Sequence, residues 1–439
     1  MFGDRCREGL EFIKRMKKPL IVNHYDCDGI CSGSLVKKGL LKLGVGCENR
    51  TLRNLGEDEL KDLKDEKELI FVDFGGARTD LIEEILPDSE VLVIDHHQAK
   101  DGKILQVNPF LFGIDGGNEL SASGTAYFVF NDTSFADLGV VGSVGDMQDP
   151  FVGWNKRLTD EGVNAGEITR EYDLRLFGRV SRPLVQFLTY CTEPYLPGIT
   201  GSEEKARVFI SDLGIEMKAG NEWRRYGELN RDEKKLFVGG LVKHLYSRGR
   251  GRSAEELVGE VYGLVNRPVG TELSDAKEFS TLINACGRQG RPDIGIGVCV
   301  GESGAYKEAS ALLLKHRRAL REGIEYSSKA VEDYGRFYFL DGRGIIDDGI
   351  IGVVAGMLYG VIRRDKPIVA IAFYSDGHIK ISGRATARLV KEGVNLSELL
   401  HAATEGIGLG GGHNIAAGGK LEQDKVNEFL LQLDRELKG

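Results

Sequence analysis

Three short runs of uninterrupted apolar residues, Pro19-Leu-Ile-Val22, Leu69-Ile-Phe-Val72 and Val91-Leu-Val-Ile94, constrain this chain more than any other feature. A strand with one wet face alternates apolar and polar residues. A continuous apolar run marks a strand buried on both faces, as in parallel sheets covered by helices. Each run is followed at once by acids and imidazoles: His24-Tyr-Asp26-Cys-Asp28, Asp73, and Asp95-His96-His97. A fourth motif, Gly145-Asp146, ends the apolar stretch from Asp137 and is expected to close a strand in the same way. Ligands of open α/β sheets bind outside the carboxyl ends of the strands, so these side chains should meet in one crevice.

So many carboxylates share a dry space only if cations neutralise them. Hard oxygen donors mixed with imidazole suit manganese, with magnesium less favoured by the histidines. Two divalent ions are the expected number, and phosphoester hydrolysis the expected chemistry.

Between the runs lie helical patterns. Gly29 opens a turn, and Leu35, Val36, Leu40, Leu41 and Leu43 form an amphipathic stretch ended at Gly44. Glu57 to Glu68 and Thr79 to Leu86 are the next helical segments, which predicts a doubly wound parallel sheet. With 439 residues, 41% of them hydrophobic, the chain should divide into two or three domains. The expected layout is residues 1–195 as the sheet domain, 196–305 as a helical or mixed insertion, 306–334 as a linking helix and 335–439 as a smaller α/β domain. The active site is expected in the cleft between the first and last of these. In the last segment Ile368 to Phe373 and His378 to Arg384 should pair across the Ser375-Asp-Gly377 turn.

Composition excludes several classes. No run approaches the ~18 apolar residues of a membrane span, and no signal-peptide stretch opens the chain, so a cytoplasmic protein without membrane partners is expected. Seven cysteines, an odd and scattered set without a C-x-x-C pair, fit reduced thiols and give no zinc signature. A net charge of −9 argues against non-specific DNA coating but leaves room for a local basic groove.

The ordered motifs resemble those of the DHH phosphoesterases, and among them the RecJ-like exonucleases of archaea. Asp95-His96-His97 is the motif that names the family; His24-Tyr-Asp26-Cys-Asp28-Gly29, Asp73 and Gly145-Asp146-Met147 supply the others in order. Gly349-Ile-Ile-Gly-Val-Val-Ala355, Ser382-Gly-Arg384 and Gly410-Gly411-Gly412-His413 are similar to motifs of the DHH-associated C-terminal domain. The resemblance implies that Asp26 and Asp73 bind one manganese, that Asp28, Asp73, His96 and Asp146 bind the other, and that Asp73 bridges. It implies that His97 contacts a phosphoryl oxygen. Many family members place the first histidine four residues before the first aspartate, whereas His24 sits two before Asp26, which leaves its role as a ligand open. In the C-terminal domain Arg384 offers a planar fork for phosphate, and Gly411, Gly412 and His413 would hold the terminal nucleotide. Ser121 and Ser123 either cap a helix or donate to phosphate. Asp95 is the member of the set best suited to orienting an imidazole.

Three functions follow as expectations. The first is a manganese-dependent exonuclease acting on the ends of single-stranded DNA or RNA. The second is a phosphodiesterase for short oligonucleotides or cyclic dinucleotides; the long insertion favours the polymer. The third is a replication scaffold that associates with the GINS complex and the helicase, as relatives that have lost metal ligands do.

Overall fold

In the computed structural model, which describes residues 1–191, 194–374 and 376–437, the three apolar runs form the centre of a five-stranded parallel sheet. Its strands are β1 (Leu20–His24), β2 (Glu48–Leu52), β3 (Glu68–Val72), β4 (Glu90–Ile94) and β5 (Leu105–Val107), in the order β2-β1-β3-β4-β5. Alternate residues of each central strand serve different cores. Ile21, Ile70, Val72, Leu92 and Ile94 join one apolar cluster, and Leu20, Val22, Leu69, Phe71, Val91 and Val93 join another on the opposite face. This double burial is why the runs lack polar alternation. The edge strands carry no such signal: β2 reads Glu-Asn-Arg-Thr-Leu and is half exposed, and β5 has three residues.

Helices α1 (Phe2–Ile13), α2 (Cys27–Lys42), α5 (Ala122–Phe130) and α6 (Ala136–Gly145) supply residues to the first cluster, while α3 (Glu57–Lys61) and α4 (Thr79–Ile85) cover the second. The stretch before Asp146 is therefore a helix and not a strand. Every residue of α6 from Leu138 to Val144 is buried, so it lacks the polar face that would have revealed a period of 3.6.

Strand β6 (Ile168–Leu174) pairs antiparallel with Val258–Leu264, and the chain between them builds its own apolar core. That core runs from Leu174 to Leu257, around Phe187, Tyr226 and Phe237. Its borders differ from those expected at 195 and 305, because the helices Ala276–Arg288 and Pro292–Val300 pack into the first cluster instead.

The chain divides into two units, Met1–Leu313 and Leu314–Gly439, within the helix Ala305–Ala330. The second unit holds a six-stranded mixed sheet. Its strands lie in the order Glu332–Asp333, Tyr338–Asp341, Ile368–Phe373, Ile379–Arg384, Ala416–Leu421 and Gly408–Gly412. The expected pairing of Ile368–Phe373 with Ile379–Arg384 is present and antiparallel. Ser375 of its turn lies outside the described residues. The glycine run near 410 is an edge strand, and Val426–Glu436 is the closing amphipathic helix.

Candidate metal centre

Four elements bring the acidic motifs of the first unit together. β1 ends at His24, and Asp26 caps α2, its Oδ1 accepting the Gly29 N–H at 3.0 Å. Asp28, one residue into the helix, is 2% exposed and faces the start of α5, where its two oxygens accept the N–H groups of Ala122 at 2.7 Å and Ser123 at 3.0 Å. A helix start of this kind offers unpaired N–H donors and partial positive charge to a carboxylate. Asp73 follows β3 in a left-handed conformation, φ 67°, with its own N–H on the Ile94 carbonyl. Asp146 closes α6.

The imidazoles are fixed by their hydrogen bonds. His96 donates from Nδ1 to the Gly116 carbonyl at 2.7 Å, which leaves the Nε2 lone pair for the site. Nε2 lies 3.2 Å from Asp73 Oδ1 and 4.0 Å from Asp28 Oδ2. His97 donates from Nδ1 to Asp95 Oδ1 at 2.8 Å, and its side chain is 48% exposed. Asp95 also accepts from the backbone N–H groups of His96, His97 and Gly76, so its lone pairs are committed to holding the motif in shape. His24 Nδ1 stands 3.1 Å from Asp26 Oδ2 and 3.3 Å from Asp73 Oδ2. Its unusual spacing from Asp26 has not kept it from the cluster.

The electrostatics show what the cluster lacks. Burial, with Asp73 and Asp146 beside it, pushes Asp28 up to about 7. Burial likewise pushes Asp146 up to about 6, with Asp73 and Asp26 adding to it against His96. For His96 burial works against protonation, but Asp73, Asp146 and Asp28 outweigh it and hold the ring well above the ordinary imidazole range. Asp28, Asp146 and His96 thus favour their protonated forms, whereas at Asp26 burial is outweighed by the neighbouring His24, which holds the carboxyl well below the ordinary range. Divalent cations fit in place of those protons. Ligand atoms of His24, Asp26 and Asp73, and of Asp28, His96 and Asp146, lie within 4.8 Å of one another in each group. Asp73 Oδ2 and His96 Nε2 are buried without a hydrogen-bond partner, an arrangement that costs about 1–3 kcal/mol per group unless something else occupies them.

The other expected site residues divide. Of the two roles open to Ser121 and Ser123, Ser121 caps α5, its Oγ accepting the Gly124 N–H at 3.1 Å, while Ser123 is fully buried, its hydroxyl donating to the Gly139 carbonyl at 3.0 Å and its N–H to Asp28. Arg384, Gly411, Gly412 and His413 gather at one end of the second unit's sheet, since Arg384 pairs with Ala416, Gly412 with Ala417, and the His413 N–H meets the Ala416 carbonyl. Arg384 donates to the Gly383 carbonyl and lies against Gly352, where an added Cβ would come within 2.5 Å of its guanidinium. Gly412, φ 140°, allows the chain to pass Ala417 where a side chain would collide. The Gly116 carbonyl, and the hold of the α5 N–H groups on Asp28, were not foreseen, because a backbone group leaves no mark on residue type.

Comparison with known proteins accords with this arrangement. Residues 18–141 match the N-terminal domain of the DHH family, residues 176–258 the DHH-CID domain and residues 336–439 the DHHA1 domain. A protein of Methanocaldococcus jannaschii, MJ0831, is 30% identical over 431 residues, covering 94% of this chain and 92% of its own length. RecJ of Thermus thermophilus, solved in complex with Mn2+, superposes with a TM-score of 0.62 at 16% identity; the match covers all of this chain and 54% of RecJ. CDC45 of Entamoeba histolytica superposes with a TM-score of 0.65 at 14% identity, covering all of this chain and 99% of that one. The chain therefore belongs to the DHH family, with a DHH domain, a DHH-CID domain and a DHHA1 domain in that order.

Proposed function

We propose that this protein is a divalent-metal-dependent phosphodiesterase, and specifically a RecJ-like exonuclease that removes nucleotides from the end of single-stranded DNA or RNA. The observation that carries the reading is geometric: ligand atoms of His24, Asp26 and Asp73, and of Asp28, His96 and Asp146, lie within 4.8 Å of one another in each group, and Asp73 Oδ2 and His96 Nε2 are buried without a hydrogen-bond partner. Asp26 and Asp73, with His24 beside them, would hold one cation; Asp28, Asp73, His96 and Asp146 would hold the other. Manganese suits this mixture of imidazole and carboxylate, with magnesium as the second choice. When bound, such a pair supplies positive charge to the phosphoryl oxygens and eases the ionisation of an attacking water.

The remaining roles belong to the chain itself. At His97, whose Nδ1–H is held by Asp95, burial is outweighed by Asp95 and Asp73, which keep the ring above the ordinary imidazole range; as an imidazolium the half-exposed ring would donate Nε2–H to a phosphoryl oxygen. Arg384 and His413, with Gly411 and Gly412, would hold phosphate in the DHHA1 domain.

A second reading, a scaffold that associates with the GINS replication complex, is supported by the likeness to CDC45. End-labelled single strands of DNA and RNA, a dinucleotide and a cyclic dinucleotide, each incubated with manganese, separate these possibilities. Shortening of the single strands from one end is expected. Chelation should abolish it, and manganese should restore it better than calcium. Hydrolysis undiminished after rigorous metal removal would overturn the two-metal reading, and inertness toward all four substrates would favour the scaffold.

A further inference from the structure

Beyond Asp146 the chain makes a left-handed turn at Met147, φ 61°, which leaves Met147 84% exposed and returns Gln148, 2% exposed, to the interior. Gln148 engages its whole amide with groups of the protein itself, the buried Gly116 carbonyl and Asn155 and the partly exposed Asp146. Nε2 donates to Asp146 Oδ2 at 2.7 Å and to the Gly116 carbonyl at 2.7 Å, and Oε1 accepts from Asn155 Nδ2 at 2.6 Å. The same Gly116 carbonyl receives the His96 Nδ1 proton at 2.7 Å. One amide and one carbonyl therefore tie together two side chains of the candidate centre.

The amide can point only one way. Asn155 Oδ1 accepts from the Ser121 backbone N–H at 3.4 Å and from the Ser143 hydroxyl at 3.1 Å. A backbone N–H cannot exchange donor for acceptor, so Asn155 must offer Nδ2 to Gln148. Gln148 must then offer Nε2 to Asp146 and Gly116; reversed, it would set its oxygen against a carboxylate and a carbonyl with no proton between them. Asn155 is itself 1% exposed, and this polarity is set far from solvent.

We infer that Gln148 is a positioning residue: its amide, oriented by Asn155, holds Asp146 and His96 in register for the cation they would share with Asp28 and Asp73. The inference rests on the two-metal reading of the centre. A neutral donor suits this task. A lysine or arginine at the same place would neutralise Asp146 outright and compete with the cation, whereas an amide directs one carboxylate oxygen and leaves the net charge of the cluster intact. Contacts that orient metal ligands typically govern about 10–100-fold in metal affinity.

The test is manganese binding to the full chain, followed by calorimetry and by the electron paramagnetic resonance of free Mn2+, with no substrate present. Wild type is expected to bind two ions. Gln148→Met keeps the side chain's length and removes both donors; it should weaken one of the two sites by about tenfold to a hundredfold and leave the other unchanged. Single-strand hydrolysis by this variant should recover as manganese is raised, with KM for the oligonucleotide unaltered. Asn155→Asp serves as a second variant that touches no candidate ligand. It replaces the donor to Gln148 Oε1 by an acceptor, favours the reversed amide and should weaken the same site. Unchanged affinity at both sites in these variants overturns the inference, as does equal weakening of both sites together with a lowered melting temperature, which would mark a merely structural role. Failure of wild type to bind manganese at all overturns the two-metal reading and this inference with it, a result distinct from two normal sites in Gln148→Met.

Discussion

Asp73 occupies a backbone conformation that costs most residues energy and that asparagine and aspartate adopt with least strain. Asp73→Asn should therefore keep the fold while removing the charge that both halves of the cluster share. Its loss of hydrolysis should exceed the roughly 10–100-fold of losing a supporting contact, with near-native thermal melting. A folded Asp73→Asn protein that hydrolyses single strands at near wild-type rate would remove Asp73 from the bridging position. Residue types pointed to the motifs holding Asp26, Asp28, Asp73, His96 and Asp146, because acids and imidazoles after apolar runs leave a pattern, and the family resemblance supplied the division of ligands among them. Residue types could not distinguish the Ser123 hydroxyl from its N–H, nor find the Gly116 carbonyl, because those contributions come from backbone geometry.

At the scale of elements, the helix Ala276–Arg288 is joined to the segment after β6 by buried polar contacts. Arg179 donates to Asp275 at 2.7 Å, and Glu278 accepts from the N–H groups of Val180 at 2.9 Å and Ser181 at 3.3 Å and from the Ser181 hydroxyl. Burial and the neighbouring Asp275 push Glu278 up from its ordinary 4.5 to about 7. Between those values the folded protein binds the proton that the unfolded chain has released, so stability falls as pH rises from about 4.5 to 7 and then levels off. The size of the effect is about 3 kcal/mol. Glu278→Gln cannot ionise, so its melting temperature relative to wild type should climb between about pH 4.5 and 7 and then level off. A difference independent of pH would contradict the assignment. A second test concerns α6. A Cβ at Gly142 would lie 2.5 Å from Asp28 Oδ1 and 2.2 Å from the Ser123 hydroxyl, so Gly142→Ala should weaken manganese binding although residue 142 offers no ligand, and unaltered titration would show that the helices give way instead. Neither α6 nor the edge strands were legible as such: a helix buried on all sides and a polar five-residue strand both lack the periodicity that reveals an element.

At the scale of the whole molecule, cation binding is proposed for the first unit and phosphate holding for the second. Arg384→Ala should accordingly reduce kcat/KM on a single strand about tenfold to a hundredfold, the equivalent of about 1.5–3 kcal/mol for a charged hydrogen bond, while manganese titration stays as in wild type. Loss of manganese affinity in that variant would contradict the division of labour. The order of sheet, insertion and second α/β unit was readable from the motifs. The insertion's borders were not, since the return of the chain to the first core near Tyr262 carries no motif. Those borders have a consequence of their own. Leu174 and Val258 are directly paired, so the chain leaves on its excursion from Arg175 to Leu257 and comes back one strand spacing away, with a core of its own in between. Such a lobe is held by that stem and by the contacts of Arg179, Val180 and Ser181 with Asp275 and Glu278 beside it. All five strands of the parallel sheet, and Asp146, precede that stem in the chain, so a lineage could exchange the lobe in one genetic event and leave the sheet in register.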